Sequence, residues 1–193
     1  MIFICNIFSV SEKNNLLIND GENSNYRFSQ LKAKDFQSCR LALEKNRLKY
    51  FLDRMEEGHR AFGWILNGEV VSYVWVSGGD AVTMCPFEGG VKILIKKKYI
   101  YIWDCRTHVD HTGRHLFRDA LIHVTRNALD SGIRPFIAIR GSNKPSERAI
   151  LNAGFSEILQ IKFYVFLMRF LLIRIKKRSV FLFKNGILDL GYF

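Results

Sequence analysis

The sequence predicts a mixed α/β layer fold, a sheet covered by helices on both faces. Three observations predict it. Two β-like runs, Ala61 to Leu66 and Glu69 to Val76, flank Asn67-Gly68, the strongest short hairpin signal available. Leu116, Ala120, Val124 and Ala128 mark one face of a helix, with strand-like runs before it (Tyr99 to Val109) and after it (Arg134 to Arg140). The stretch from Ile137 to Phe155 then reads as strand, tight turn, short helix and new strand.

Composition sets the bounds. A chain of 193 residues is most simply one domain with short extensions, large enough to bury a real core. Its 48% hydrophobic and 24% charged residues are ordinary for a soluble globular chain. The net charge of +11 is not ordinary, and it favours an anionic partner: a phosphate-bearing cofactor, nucleic acid or an anionic membrane surface. Against nucleic acid, the basic residues are spread out and no recognised binding motif occurs. Cys5, Cys39, Cys85 and Cys105 are scattered without a C-x-x-C pair, which reads as free thiols in a reducing cytosol. The expected location is therefore cytoplasmic, with the inner face of the membrane as the alternative.

The elements follow in order. Met1 to Val10 is apolar but lacks a charged leader and is shorter than a typical signal sequence, so it reads as an extra strand. Asn14 to Asn25 is polar and reads as a loop; residues 1–25 form an N-terminal extension. The main domain spans 26–168. Tyr26 to Leu31 is a strand. Asp35 is the N-cap of a helical region reaching Glu57, with Phe36, Leu41, Leu43, Leu48, Phe51, Leu52 and Met55 at helical spacing and Gly58 at its end. Gly78-Gly79 and Pro86 to Gly90 punctuate an irregular crossing after the hairpin, and Lys96-Lys97-Lys98 is a solvated turn. Asp110 to Gly113 turns the chain into the helix, which runs to Asp130 and is closed by Gly132.

Beyond Arg140, Asn143 is a good N-cap, Pro145 fits a first helical turn, and Gly154 stops the helix. Residues 169–193 form a basic, apolar segment expected to hold the last strand. Two readings of Ile161 to Lys184 stay open. It forms the last strands of the sheet, joined by a basic turn at Lys176 to Arg178 and followed by a strand and turn from Val180 to Gly186. Alternatively it lies on an anionic membrane surface. No stretch reaches the roughly 20 apolar residues of a spanning helix; Ile161 to Ile175 is broken by Lys162, Arg169 and Arg174.

The pattern Asn143-x-x-Ser146, about seven residues and then Gly154-Phe155 resembles the last conserved segment of the GNAT superfamily of acyl-CoA-dependent acyltransferases. The turn from Thr107 to Phe117 is partly similar to the family's phosphate turn, V-x-P-x-x-R-G-x-G-x-G. Gly113 and a cation at Arg114 are kept, Thr112 stands where Arg or Gln is usual, and His115 and Phe117 replace the two later glycines. The resemblance covers Tyr26 to Phe166.

It implies a mostly antiparallel central sheet with helices on both faces, and acetyl-CoA or another acyl-CoA as co-substrate. It further implies a small amine as acceptor, with an amino sugar or surface-polysaccharide precursor as the analogy nearest to hand. Backbone groups of Arg106, Thr107 and His108 would pair with the pantetheine arm like an added strand. Amides of Thr112, Gly113, Arg114, His115, Leu116 and Phe117 would hold the pyrophosphate at a helix N-terminus, with Asn143 and Ser146 as further cofactor contacts. For the general base the resemblance points first to Asp104 and second to Tyr101 and His108. A structural acceptor at a strand end is the equal alternative for Asp104.

Ile150 stands where the family often has a Tyr that protonates the leaving thiolate. A thiol with pKa near ~8.5 leaves without strong acid help, and Tyr164 is a substitute on a later strand. His108, His111 and His115 lie near Asp104, Cys105 and Asp110, but Gly113 breaks the helical register between His111 and His115, so no metal site is expected. Cys105 and His108 point to opposite faces of a strand and do not form a nucleophilic pair. Two rival readings remain: a GNAT-fold binding module whose cofactor site has decayed, and a basic membrane-surface or nucleic-acid binder. The oligomeric state is not legible.

Overall fold

The structure, a computed structural model, describes residues 2–10, 25–37, 39–43, 47–79, 83–86, 92–166, 169–175, 183–184 and 187–189. The first half comprises β1 (Ile2–Ser9), β2 (Arg27–Leu31), α1 (Ala33–Gln37), α2 (Arg40–Leu43), α3 (Leu48–Glu56), β3 (Arg60–Leu66), β4 (Glu69–Gly78), β5 (Thr83–Pro86) and β6 (Lys92–Ile95). The second half comprises β7 (Tyr99–Thr107), α4 (Leu116–Asp130), β8 (Arg134–Arg140), α5 (Lys144–Asn152), β9 (Ser156–Phe166), β10 (Arg169–Ile175), β11 (Phe183–Lys184) and β12 (Ile187–Asp189).

Eight strands form one sheet in the order β10-β9-β1-β8-β7-β4-β3-β2. Within it only β7 and β8 run parallel. The mixed, mostly antiparallel α/β fold is thus the one the sequence predicts. At the hairpin between β3 and β4, Asn67 and Gly68 both take positive φ, 51° and 84°, as a twisted two-residue turn requires. Gly63 in β3 lies so close to Ser72 of β4 that a Cβ there would collide with the Ser72 carbonyl oxygen.

Each face of the sheet has its own core. One carries α1 to α3, with Phe36, Phe51, Tyr73, Trp75 and Trp103 packed together. The other carries α4 and α5, with Leu116, Leu121, Val124, Ile150 and Phe155. Trp64 ties α4 to the sheet by donating its indole N–H to the Leu116 carbonyl at 2.8 Å.

Four features differ from the sequence expectation. First, β1 is a strand, but it lies inside the sheet, antiparallel to both β8 and β9. Second, the region from Asp35 to Glu57 forms three short helices, and Asp35 sits within the first turn of α1. Its carboxylate accepts the Lys32 N–H at 2.7 Å, the return half of a capping box rather than an N-cap. Third, the irregular crossing contains the β5–β6 hairpin, which joins β12 and β11 in a second sheet of order β11-β12-β6-β5. Cys85, Ile93 and Ile95 of that hairpin pack into the α1–α3 core. Fourth, β7 ends at Thr107, and a 3-10 turn, Val109–His111, follows. The expected loop at 14–24 and basic turn at 176–178 lie outside the described residues. Among the described residues no helix is long and apolar enough to cross a membrane.

Candidate active site

The site begins with a fault in a strand. Trp103 of β7 pairs with Trp75 of β4, yet Arg106 pairs with Tyr73, so two residues, Asp104 and Cys105, oppose one. This is a β-bulge, and its first residue, Asp104, takes a positive φ of 40°, the left-handed sense that glycine usually supplies at this place in a G1-type bulge. Beside the bulge the sheet opens. Pairing of β7 with β8 runs from Tyr99–Arg134 to Ile102–Ile137 and stops there, although β7 continues to Thr107 and β8 to Arg140.

A cleft of about 240 Å³ fills the opening, walled by Trp103, Asp104 and Cys105 on one side, Ile137 to Arg140 on the other, and Phe117, Asn143 and Ser146. A second cleft, about 290 Å³, lies over the start of α4 and is lined by Thr107, Thr112, Gly113, His115, Leu116, Phe117 and Arg118, with Pro145 and Ala149 of α5. Phe117 belongs to both walls, so the clefts adjoin.

The start of α4 is built to leave donors open. The first intrahelical bond runs from the Asp119 N–H to the His115 carbonyl, so the amides of Leu116, Phe117 and Arg118 have no acceptor within the helix. His115, at the N-cap with φ 59°, makes no side-chain capping bond. Gly113 has φ 77° and no atom within 4 Å of where a Cβ would stand. These are the conditions for an anion at a helix N-terminus.

The strand edge is also available. His108 gives its N–H to the Val71 carbonyl at 2.8 Å, on the β4 side. By strand alternation the Thr107 backbone groups turn the other way, toward the opening. Of the three residues expected to offer backbone groups, Thr107 is the one so placed.

The predicted residues therefore divide. Thr107, Thr112, Gly113, His115, Leu116 and Phe117 gather at the second cleft, and Asp104, Asn143 and Ser146 at the first. Asn143 caps α5, its Oδ1 accepting the Ser146 N–H at 3.3 Å. Arg106, His108, Arg114 and Tyr101 are in neither wall. Tyr101 is buried on the paired half of β7, stacked on Phe136 at 5.0 Å. The His108 ring faces Asp110, its Nδ1 3.5 Å from the carboxylate. Ile150 is fully buried in the α4–α5 core. The Tyr164 side chain lies outside the described residues. No group of three or more side chains that could hold a metal occurs among the described residues.

Asp104 is not solitary. Its Oδ2 accepts from Arg47 at 2.8 Å and from Arg54 at 2.5 Å, while Arg106 stands 3.6 Å from Oδ1. Burial, and then the Asp104 charge, hold the neighbouring Cys105 thiol well above its ordinary pKa, so it is a protonated wall rather than a nucleophile. Behind Trp103 runs a buried chain. Its indole N–H donates to Ser77 Oγ at 2.7 Å, and Ser77 Oγ meets His59 Nδ1 at 2.9 Å.

Sequence reasoning missed Arg47, Arg54 and Arg118. For the first two the signal was present: they flank Phe51 at helical spacing, i, i+4 and i+7, on the face that packs inward. Arg118 stands one residue beyond the phosphate-turn pattern. Its Nε donates to the buried Asp119 carboxylate at 2.8 Å.

A sheet that parts between two parallel strands, with a helix N-terminus at the parted end, defines a GNAT-type α/β fold. The model of the acetyltransferase (GNAT) family matches residues 25–155, and the chain belongs to that family. It is similar in fold to an acetyltransferase of the GNAT family from Colwellia psychrerythraea (TM-score 0.57, 13% identity, 83% of this chain and 55% of that one). A GNAT-family protein from Novosphingobium aromaticivorans gives a TM-score of 0.56 at 13% identity, over 84% of this chain and 63% of that one. A conserved protein of unknown function from Staphylococcus epidermidis gives 0.55 at 10% identity, over 84% and 60%. The chain thus spans less than two thirds of the length of each. No curated protein matches it at a significant level.

Proposed function

We propose that this chain transfers an acyl group, most simply acetyl from acetyl-CoA, to a small amine by direct attack in a ternary complex. The observation that carries this reading is the pair of adjoining clefts, one at open helix amides and one at the β7–β8 parting, which share Phe117. An acyl-CoA supplies an activated thioester carbonyl. The amides of Leu116 to Arg118, with Gly113 leaving room, hold its pyrophosphate. Thr107 offers strand-edge hydrogen bonds to the arm, and Trp103, Cys105 and Ile137 to Ile139 exclude water around the reacting carbon.

Asp104 is the proton acceptor in this reading. Its Oδ2 is taken by Arg47 and Arg54, while Oδ1 is in hydrogen-bond contact with nothing among the described residues. The N–C bond forms as the C–S bond breaks, the electron pair leaves on sulfur, and the amine proton passes to Asp104 Oδ1. With Ile150 buried in the core, sulfur departs as a thiolate without an acid. That same residue, with Thr112 and the side chains of His115 and Phe117 at the phosphate turn, favours the second reading, a GNAT-fold binding module whose cofactor site has decayed.

Calorimetric titration with acetyl-CoA, desulfo-CoA and a longer acyl-CoA tests the donor site. Saturable binding near micromolar affinity is expected. Gly113→Val should weaken it at least about tenfold. The substitution strains a left-handed residue by roughly 1–2 kcal/mol and places a branched side chain where no protein atom stands. Absence of binding by all three ligands overturns the proposal and selects the second reading; binding without transfer to any amine overturns the transfer step.

A further inference from the structure

On the α1–α3 face of the sheet, positive charge gathers beyond what its acid neutralises. Arg47, Arg54 and Arg106 converge on the single carboxylate of Asp104. Two of these guanidiniums are poorly hydrated: the Arg47 and Arg54 side chains are 16% and 20% exposed. Among the described residues, three cations meet one anion, an excess of two charges beside side chains that water screens weakly.

Arg54 is held in place. Its guanidinium lies 4.4 Å from the Trp103 ring centroid and 5.3 Å from that of Trp75. Arg47 covers Phe51 at 5.4 Å, and Phe51 packs edge-on against Tyr73 at 5.2 Å. Around this group, three buried donors have no hydrogen-bond partner among the described residues: Arg47 Nη1, the Tyr73 hydroxyl and the Trp75 indole N–H. Tyr73 and Trp75 are fully buried. Native proteins rarely leave such donors unmet, and no described residue of this chain supplies an acceptor to any of the three. Asp104 also lines the cleft between β7 and β8, so the cluster abuts the point where an attacking amine must arrive.

We propose that this cluster recognises an oxyanion on the acceptor: the amine that is acylated also carries a carboxylate or a phosphate. Arg47, through Nη1, and the Tyr73 hydroxyl bind that group, while the amine end lies against Asp104 in the cleft. An oxyanion supplies acceptor lone pairs to the orphaned donors and neutralises the excess charge in one act. A neutral amine does neither. The inference rests on the acyltransferase reading for its chemistry, but the oxyanion site stands on its own geometry.

The experiment uses the full chain and two matched pairs of probes: β-alanine with β-alaninamide, and phosphoethanolamine with ethanolamine. Binding is read by calorimetry without any acyl-CoA, and transfer is read afterwards with acetyl-CoA. The expected result is that the anionic member of one pair binds at least about tenfold more tightly than its neutral partner. Whichever pair shows it names the group as carboxylate or phosphate. Arg47→Gln should abolish the preference and Arg47→Lys should keep part of it, with acetyl-CoA affinity unchanged in both. Arg54 stays on Asp104 in these variants. The wild-type comparison decides the matter even if they unfold. Equal affinity within both pairs, or no binding by any probe, overturns the oxyanion site. Because donor binding is measured separately, its failure leaves the oxyanion result standing, and the reverse holds too.

Discussion

Asp104 gathers the geometry of the candidate site in one residue. Its left-handed backbone makes the bulge, the bulge accompanies the parting of β7 from β8, and its side chain gathers three arginines. Nothing in the local sequence announces this, because Asp104 reads as an ordinary acid in a strand and two of its three partners lie about fifty residues upstream, Arg47 at the N-cap of α3 and Arg54 within it. By contrast, the capping of α5 by Asn143 is local chemistry, a side chain bonding an amide three residues on, and was legible for that reason. His59 makes a prediction at the same scale. It is 4% exposed, and burial lowers its pKa from the usual 6.5, with the Glu57 charge opposing. In the unfolded chain it binds a proton more readily than in the fold. Its stabilising contribution is therefore complete above about pH 6.5 and is lost as pH falls below that value. Urea unfolding at pH 7.5 and pH 5.0 should show an acid-side loss that is smaller in His59→Gln; an equal loss in both proteins would contradict the assignment.

Elements with a strong local period were legible. The helix from Leu116 to Asp130, the β3–β4 hairpin and β8 each announce themselves within a dozen residues, and all three fall where the sequence places them. The β5–β6 hairpin did not. Its strands are four residues each, set among glycines, a proline and a lysine run, and what defines them is packing of Cys85, Ile93 and Ile95 on a distant core. The helical region from Asp35 to Glu57 was legible, but its division into α1, α2 and α3 was not, because the apolar spacing continues from one helix to the next. Packing between elements also makes a sharp prediction at Gly63. Since any side chain there meets the Ser72 carbonyl of the paired strand, Gly63→Ala should destabilise by about 2 kcal/mol or more through forced separation of β3 and β4. Thermal or urea unfolding checks this, and a neutral substitution would refute the close approach.

At the scale of the whole molecule, β1 joins the two parts of the sheet. On one side lies β8, which forms a wall of the candidate site; on the other lies β9, which carries β10. Ile7, fully buried between Ala138 and Leu159, sits in that seam. Truncating it, Ile7→Ala, should cost about 2–5 kcal/mol in a single cooperative transition. A transition that splits in two would show instead that the parts fold separately. The pattern of Ile2 to Ser9 reveals a strand, but not its neighbours, since pairing across the chain leaves no local trace. This placement has a consequence for biosynthesis. The Ser9 hydroxyl bonds the Pro135 carbonyl 126 residues later, and Asn6 meets Gln160 at a separation of 154. At roughly 5–20 residues per second, β1 leaves the ribosome on the order of ten seconds before either neighbour exists. During that interval an apolar strand with two unpaired edges stands open to chaperones and to other nascent chains, and the sheet closes only when the last third of the chain arrives.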